Sequence, residues 1–397
     1  MIKGVLAAVL LLTAAAHSPG EGGRPVPYTV APGLFDASKP DLGLTPARGT
    51  ETFTVFRPGE GTDHFSNGVS LIAFHGRLYA QWQSSPRDED SPDTRVMFAS
   101  SADGERWTAP VELAPPGQGG RMVSSGGWTT DGRTLVAYLN VWPNGFQSGD
   151  GGQTAYRTSM DGQSWAESRS VLAADGSPID GVIEQDPHRF GDRTVGAFHM
   201  RPGMIATPAF TDDPLGVSGW TLGRMTHLDR APTPAGAPAH ESRLSREIEP
   251  SLFQAGDCAV MVFRDEDLSF RQLASESCDR GVNWSTPVVT AMPDSRAKQS
   301  AGNLPDGTAF LVNAPNADRV RIPLAVTVSR DGRTFGRSFL LRGQGDLQPL
   351  RYEGQYKRPG YHYPKSTVWN GFLWVGYATN KEDVQVTRVP LGALTGD

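Results

Sequence analysis

The stretch Ser101-Ala-Asp103-Gly104-Glu-Arg-Trp107 decides the fold, because its pattern returns along the chain. The related copies are SMDGQSW at 159–165, a decayed DDPLGVSGW at 212–220, SCDRGVNW at 277–284 and SRDGRTF at 329–335. The aromatic residues that end these copies are 58, 55, 64 and 51 positions apart. The chain therefore contains a repeat with a period of about 57 residues, a length typical of repeat folds.

Each copy has the chemistry of a tight turn. The Ser and Asp side chains can bond to nearby backbone groups, and Gly accepts a positive φ without a steric penalty. The aromatic side chain can then pack back over the loop. A single match would be weak evidence, but four clear copies at a nearly constant spacing predict the same strand-to-strand turn in each repeat.

A second repeat runs out of phase with the first. Each copy has a polar start, a strand, a Gly-containing turn and a second strand, at 64–83, 124–142, 184–199, 246–264, 298–313 and 362–379. A unit of this length with about four short strands is typical of a propeller blade. We therefore predict an all-β fold, a single β-propeller with six four-stranded antiparallel blades. Seven blades also fit, since residues 51–397 would give about 50 residues to each.

The two ends of the repeat region indicate how the ring closes. The last repeat ends at 384–390 without a turn box, and the strand-like residues 52–56 could pair with it and remove an open sheet edge. We therefore expect residues 51–397 to form the propeller catalytic domain. Residues 17–50 are rich in Pro and Gly, and we expect this extension to wrap the outside.

Composition excludes several classes of protein. The 46 Gly and 31 Pro exclude long helices and coiled coils, because both residues destabilise helix interiors. A hydrophobic content of 38% with nine Trp excludes a disordered polymer. The formal net charge of −6 argues against a nucleic-acid partner, which would require a basic face.

The amino-terminal residues have the pattern of a signal peptide. Lys3 precedes an apolar run at 5–16, which ends in three Ala residues suited to cleavage. The run is too short to span a bilayer, and no Cys follows it to carry a lipid. We expect residues 1–16 to be removed from a secreted bacterial protein that is monomeric and has no membrane partner.

Cys258 and Cys278 flank a predicted strand, turn and strand. A hairpin centred near Leu268 would place the two residues opposite each other, close enough for a disulfide. We predict this cross-strand disulfide, which suits an exported protein. Two buried free thiols are the alternative.

The turn boxes resemble the Asp-box motifs of the sialidase superfamily of β-propellers, over roughly residues 50–392. This superfamily includes exo-sialidases, other glycoside hydrolases and polysaccharide lyases that act on uronate polymers. The segment from Glu249-Pro250 to Arg264 is similar to the sialidase segment in which a Glu assists a Tyr nucleophile and an Arg grips the substrate carboxylate. Tyr363-Pro-Lys-Ser366 resembles the segment that carries the nucleophile.

The resemblance implies candidate roles. Glu249 would be the base, Tyr363 the nucleophile and Arg264 a carboxylate clamp, while Arg87 with Asp88 or Asp90 resembles the loop that carries the acid. A Tyr with a pKa near its usual value of about 10 needs such help to attack at neutral pH.

The first blade departs from the sialidase pattern. Sialidases begin it with a clamp Arg two residues before a Pro, whereas here the matching start is His64-Phe-Ser-Asn67-Gly. Arg57-Pro58 lies upstream of that position, and Arg296 or Arg321 is a candidate for the third clamp residue. The opening with His64 resembles the uronate-directed propellers, in which His carries the proton chemistry.

Other ionisable residues lie at strand starts or in the loops that should meet at one mouth of the ring. The candidates for substrate binding are Arg87, Arg121, Asp186, His188, His199, Arg201, Arg264, His362 and Lys365. Such a mouth suits a glycan, and in particular an anionic one. No metal or cofactor motif is present, although the acidic run at 88–93 could bind a structural Ca²⁺.

Three functions remain open. The first is an exo-glycoside hydrolase that cleaves a terminal sugar from an acidic glycan, with Glu249 and Tyr363 as the nucleophilic pair and Asp88, Asp90 or His64 as the acid. The second is a polysaccharide lyase that uses His64 or Tyr363 as the base. The third is a glycan-binding propeller without activity. Independently of these functions, Glu249 and Arg264 could form a structural ion pair.

Overall fold

Six antiparallel sheets form a closed ring in the computed structural model, which describes residues 25–237 and 239–396. The inner strands of neighbouring sheets contact one another around the centre of the ring. The prediction of a single six-bladed propeller is confirmed, and seven blades are excluded. The predicted signal peptide at 1–16 lies outside the described residues.

Blades 1 to 3 contain the first half of the ring. Blade 1 has β3 (Phe65–Phe74), β4 (Arg77–Ser85), β5 (Arg95–Ser101) and β6 (Val111–Ala114), after the short β1 (Thr29–Val30) and β2 (Glu51–Phe56). Blade 2 has β7 (Met122–Thr130), β8 (Leu135–Trp142), β9 (Gln153–Ser159) and β10 (Arg169–Ser170). Blade 3 has β11 (Gly181–Val182), β12 (His188–Phe190), β13 (Arg193–Met200), β14 (Ile205–Thr211) and β15 (Thr221–Leu222).

Blades 4 to 6 contain the second half. Blade 4 has β16 (Glu247–Ala255), β17 (Cys258–Asp265), β18 (Arg271–Ser277) and β19 (Val288–Pro293). Blade 5 has β20 (Ser300–Asn303), β21 (Ala309–Asn313), β22 (Leu324–Ser329) and β24 (Arg337–Arg342), with the short β23 (Thr334–Phe335) before its last strand. Blade 6 has β25 (Tyr361–Trp369), β26 (Phe372–Thr379) and β27 (Asp383–Pro390), followed by the helix α1 (Leu391–Thr395).

The expected closing strand is present. β2 pairs antiparallel with β27, so the amino-terminal strand becomes the outer strand of blade 6 and β27 is not left as an unpaired edge. Ahead of it, β1 pairs with β23, and the fully buried Tyr28 packs edge-on against Phe253 and Phe335. Residues 28–30 of the extension therefore lie against blades 4 and 5.

The box turns join neighbouring blades. In the first box, Asp103 accepts the backbone N–H groups of Glu105 and Arg106 at 2.9 Å, and the Trp107 indole donates to the Gly104 carbonyl at 3.0 Å. A Cβ on Gly104 would lie 2.1 Å from the Trp374 ring of blade 6. Gly is thus required both for its positive φ and for close approach to the preceding blade. The hydrophobic clusters likewise lie between adjacent blades.

Blade 3 differs from the expected hairpin at 184–199. Its inner strand consists of two short pieces, β11 and β12, with residues 183–187 between them. Pro187 lacks the N–H that a continuous ladder would need at this point. Glu184 is released from regular pairing and lies at the mouth of the ring.

The predicted disulfide is confirmed, with Cys258 and Cys278 4.1 Å apart at their Cα atoms. β17 and β18 have the expected register, in which Ala259 faces Ser277 and Arg264 faces Gln272. Among the described residues, no helix is long and apolar enough to cross a membrane.

Candidate active site

The inner strands of blades 1, 4 and 6 carry a β-bulge at the same position. Pairing is interrupted between Asn67 and Ser70, between Ile248 and Ser251, and between His362 and Lys365. The first extra residue of each bulge has a positive φ, which is 63° at Gly68, 53° at Glu249 and 53° at Tyr363. A bulge redirects a side chain out of the strand's alternation. In blades 4 and 6 it directs Glu249 and Tyr363 to the mouth of the ring.

These two residues line a cavity of about 280 Å³ at that mouth. One part of its wall is apolar and comes mainly from blades 2 and 3, with Met122, Trp142, Phe146, Met204 and Leu244. Most of the remaining wall consists of charged side chains. Its cations are Arg264, Arg296, Lys298, Arg319, Arg321, Arg358, Lys365 and Lys381, and its acids are Glu89, Asp90, Glu184, Glu241, Glu249 and Glu266.

Arg264 connects the two candidate reacting groups. Its Nη1 atom lies 3.1 Å from the Glu249 carboxylate and 3.4 Å from the Tyr363 hydroxyl. Its Nη2 atom lies 2.5 Å from the buried Glu266. Burial alone would raise the pKa of Glu249, but the positive charges of Arg264 and Lys298 outweigh it and lower this pKa to about 2. Glu249 is therefore an anion at any ordinary pH.

Tyr363 is surrounded by positive charge. The centroid of its ring lies 5.0 Å from Lys298 Nζ, 5.1 Å from Arg321 Cζ and 5.8 Å from Lys381 Nζ. Burial, followed by the negative charge of Glu249, raises the pKa of Tyr363, while Arg264 and Arg321 oppose that rise. Tyr363 is thus a neutral phenol whose anion would be stabilised by neighbouring cations.

Most of these cations already have a carboxylate partner. Lys298 lies 2.5 Å from Glu184, Lys381 contacts Glu89, and Arg296 contacts the same Glu266 that holds Arg264.

Three cavity arginines lack such a partner. Within the described residues, no carboxylate lies within 4.0 Å of Arg319, Arg321 or Arg358. The buried Arg321 contacts only neutral acceptors, the His362 ring at 2.9 Å and the Arg296 carbonyl at 3.2 Å. Burial and the charge of Arg321 lower the pKa of Arg358 to about 10, which reflects the crowding of positive groups. This part of the cavity carries charge that a bound anion would neutralise.

Of the three candidate acids, Asp88, Asp90 and His64, the structure brings Asp90 to the cavity. The Asp90 carboxylate accepts a hydrogen bond from Gln147 at 3.2 Å. Burial and the negative charge of Glu89 raise its pKa well above the usual range, although Lys381 opposes the shift. A protonated carboxyl at a cavity wall can donate a proton. Asp88 instead accepts the Gln355 backbone N–H at 2.7 Å, and neither it nor the exposed Arg87 lines the cavity.

His64 is not brought together with Glu249 and Tyr363. Its ring stacks on Tyr352 with the centroids 3.9 Å apart, and its Nε2 atom lies 3.3 Å from the Gly59 carbonyl. It does not line the cavity. Arg57 also lies elsewhere and pairs with Asp383 at 3.3 Å.

Two predicted histidines act behind the cavity wall. The buried His199 accepts the Glu249 backbone N–H at its Nε2 atom, 3.0 Å away, and burial lowers its pKa to about 4. His362 accepts a hydrogen bond from Arg321 and is fully buried. Each therefore contacts a lining residue without lining the cavity itself.

Lys365 also lines the cavity. Its Nζ atom is 3.9 Å from Asp186, whose carboxylate also accepts bonds from Ser70 and from the Trp128 backbone N–H. Asp186 and His188 instead line a second cavity of about 240 Å³.

Arg121 and Arg201 lie outside the cavity. Arg121 is exposed just before β7, and Arg201 contacts the Asp150 carbonyl at 2.9 Å and Asp180 at 3.1 Å. Conversely, Glu266, Arg319 and Arg358 line the cavity without having been proposed from sequence. Glu266 could have been noticed because it belongs to the acidic turn directly after Arg264. The two arginines lie in loops without any repeat signal.

The profile of the BNR repeat-like domain family matches residues 76–375. The chain belongs to this family. Solved structures of similar fold include a sialidase, at a TM-score of 0.62 and 19% identity, which covers 92% of the chain. The chain spans only 35% of that sialidase. No curated protein sequence matches the chain.

Two further structures extend the likeness to other sialidase-type proteins. The Hadza microbial sialidase Hz136 has a TM-score of 0.65 at 15% identity, with 86% of this chain and 69% of that chain covered. The intramolecular trans-sialidase from Ruminococcus gnavus has a TM-score of 0.61 at 13% identity, with 86% and 98% covered. The BNR repeat-like chain is thus a sialidase-like Asp-box propeller, as the resemblance of its turn boxes predicted.

Proposed function

We propose that the protein is a sialidase-type glycoside hydrolase that releases a terminal, carboxylate-bearing sugar from an acidic glycan. The observation that carries the proposal is the position of Arg264, whose Nη1 atom contacts both Glu249 and Tyr363 inside the charged cavity. This arrangement joins an ionised carboxylate and a phenol beside cations that could receive an anionic substrate.

Binding would use both parts of the wall. The substrate carboxylate would lie against Arg321 and Arg358, whose charges have no fixed partner. The C–H faces or acyl groups of the sugar would contact the apolar side chains from blades 2 and 3. Holding the sugar at two places would present its anomeric carbon to Tyr363 in a defined orientation.

The chemistry would proceed in two steps. Tyr363 Oη would attack the anomeric carbon as its proton passes to Glu249, and Asp90 would donate a proton to the departing glycosidic oxygen. Water would then attack the tyrosyl-linked sugar as Asp90 accepts a proton from it, and Tyr363 would leave as the phenol by taking back its proton from Glu249. The cations around the Tyr363 ring would stabilise the phenolate character that develops in both steps.

The disulfide between Cys258 and Cys278 supports action outside the cell, since such bonds persist in oxidising compartments. A glycan at a cell surface or in the medium would then be the natural substrate class.

The test is an assay of the purified protein on aryl glycosides of sialic acid, of uronic acids and of neutral sugars, with products identified by mass spectrometry. We expect an acidic sugar to be released with the gain of one water. Glu249→Gln and Tyr363→Phe should each lower kcat/KM by about 10²–10⁴-fold. Tyr352→Phe, which changes a Tyr outside the cavity, is the matched control and should retain activity.

Other results would contradict the assignment. An unsaturated product without the gain of water would indicate a lyase, and glycan binding without any product would indicate a binding protein. Full activity of Glu249→Gln on every cleaved substrate would remove Glu249 from the mechanism.

A further inference from the structure

His362 connects the strand of Tyr363 to two arginines of the cavity. Its Nδ1 atom lies 2.9 Å from Arg321 Nη1, and its Nε2 atom lies 3.0 Å from the Arg358 backbone carbonyl. A guanidinium can only donate, so Nδ1 must be the acceptor of that bond. The proton then resides on Nε2, which donates to the Arg358 carbonyl. One tautomer of a neutral imidazole satisfies both contacts.

The surroundings keep this imidazole neutral. Burial lowers the pKa of His362 well below its usual value, and the positive charges of Arg321, Lys381 and Arg358 lower it further. These three cations lie on three different segments around the imidazole. Arg321 belongs to the connection before β22, Lys381 to the loop after β26 and Arg358 to the loop before β25. Protonation would place another positive charge among them and would remove the acceptor for Arg321.

Because the partner of Arg321 is the neutral His362 and not a carboxylate, the charge of Arg321 is not neutralised. Arg264 and Arg296 share the carboxylate of Glu266, so much of their charge is already neutralised. His362 holds Arg321 in place but leaves its positive charge available to a ligand. A buried guanidinium without a counter-ion is costly unless an anion arrives.

We propose that His362 is a positioning residue that fixes Arg321 and the Arg358 segment as one anion receptor beside Tyr363, and that it does so as a neutral group so that the receptor keeps its charge for the substrate. The inference rests on the proposed function for the identity of the substrate, a carboxylate-bearing sugar. It assigns to His362 no contact with the reacting atoms.

The decisive comparison is between His362→Asn and His362→Asp, which have nearly the same shape. Each side chain can place an oxygen near the former Nδ1 position and accept the bond from Arg321. Only the Asp variant adds a negative charge that neutralises the receptor. A role confined to structure would be served by both variants, and best by the salt bridge of the Asp variant.

The probes are sialic acid and its methyl ester, with glucuronic acid and its methyl ester as a second pair, titrated by calorimetry or NMR. We expect the wild type and His362→Asn to bind one of the acids more tightly than its ester. We expect His362→Asp to bind that acid about tenfold or more weakly, a loss of about 1.4 kcal/mol, with binding of the ester unchanged. In turnover, the same loss should appear in KM rather than in kcat.

Three results would overturn the proposal. They are equal binding of the acid by the Asn and Asp variants, absence of acid binding by the wild type, and a ¹⁵N NMR spectrum of the wild type that shows His362 as an imidazolium near neutral pH. The NMR result does not depend on any variant, so a misfolded Asp variant leaves the proposal testable. Acid binding without turnover would leave the receptor intact and would count against the hydrolase alone.

Discussion

The bulge of blade 1 and the bulges of blades 4 and 6 have the same backbone and different residues. Each places two residues opposite one and gives the first a positive φ. In blade 1 that residue is Gly68, whereas blades 4 and 6 have Glu249 and Tyr363, each followed by a Pro. The repeat thus provides the same bulge in three blades. The residue at the bulge decides whether the cavity wall there has no side chain, as at Gly68, or a reactive one, as at Glu249 and Tyr363.

The difference also has an energetic side. A positive φ costs Gly little, but it costs a residue with a Cβ about 1–2 kcal/mol. Glu249 and Tyr363 therefore retain backbone strain at the two positions where side chains must reach the cavity. Pro is tolerated after each of them because residues inside a bulge do not take part in the regular ladder.

The largest expected effect comes from making blade 4 resemble blade 1. Glu249→Gly should relieve the positive φ but remove the carboxylate that contacts Arg264. We expect kcat/KM to fall by about 10²–10⁴-fold, the usual contribution of a general base. Arg264 would keep its contact with Glu266, so the free energy of unfolding should change far less than the activity.

Measurement of kcat/KM together with urea unfolding checks this prediction. If the activity fell only in proportion to a large loss of stability, Glu249 would be a structural residue, and the contrast between the bulges would have no functional meaning.

A smaller effect concerns the histidine that supports the blade 4 bulge. The pKa of His199 is lowered by burial to about 4 from its usual 6.5, so the unfolded chain takes up a proton between these pH values and the folded chain does not. The folded state is thus favoured above the unfolded pKa and loses up to about 3 kcal/mol as pH falls through this window. His199→Gln should remove that loss while offering an acceptor to the Glu249 N–H.

Urea unfolding at several pH values between neutrality and acid measures this effect. The variant should show a shallower fall of stability with acidification than the wild type. If the free energy of unfolding fell equally steeply with pH in both proteins, burial would not be keeping His199 neutral in the folded state.

The smallest expected effect comes from adding a side chain to the blade 1 bulge. A Cβ on Gly68 would lie 3.0 Å from Ser125 Oγ at a φ of 63° and would enter the cavity wall. Gly68→Ala should destabilise the protein by about 1–2 kcal/mol, the cost of a positive φ for Ala. It should also lower kcat/KM by about tenfold, since a small displacement of bound substrate has an effect of this order or larger.

Gly76→Ala is the matched control, because Gly76 has a φ of 72° and no atom within 4 Å of its added Cβ. The control should show the same loss of stability with unchanged activity. A similar loss of activity in both variants would mean that the space at Gly68 has no part in binding.

The fold was largely predictable because its signals are local. The box at Asp103 and the turn at Gly76 each fix their own geometry, and the cross-strand pairing of Cys258 with Cys278 depends only on one hairpin. Blade 3 was predicted less well, because the hairpin pattern at 184–199 indicated a continuous inner strand. Pro187, which lacks an N–H, instead lies between the short β11 and β12.

The site was predictable only in part. Glu249, Tyr363, Arg264, Asp90 and Lys365 line the cavity as their positions at strand starts and nearby loops suggested. His64 has an equally suggestive position in sequence, yet it stacks on Tyr352 outside the cavity. The orientation of the His64 side chain depends on Tyr352, which lies in a loop before blade 6, and no local sequence pattern predicts that contact.

The sequence by itself determined the repeat, the strand that closes the ring and the cross-strand disulfide, because turn chemistry and strand alternation act over a few residues. The structure decided between six and seven blades and revealed the bulges at Glu249 and Tyr363. Only the tertiary structure decided which cations keep a free charge. Whether Arg321 meets a carboxylate or the neutral His362 depends on residues 41 positions apart that meet where two blades join. Electrostatic interactions follow distance in space, and the closed ring sets that distance.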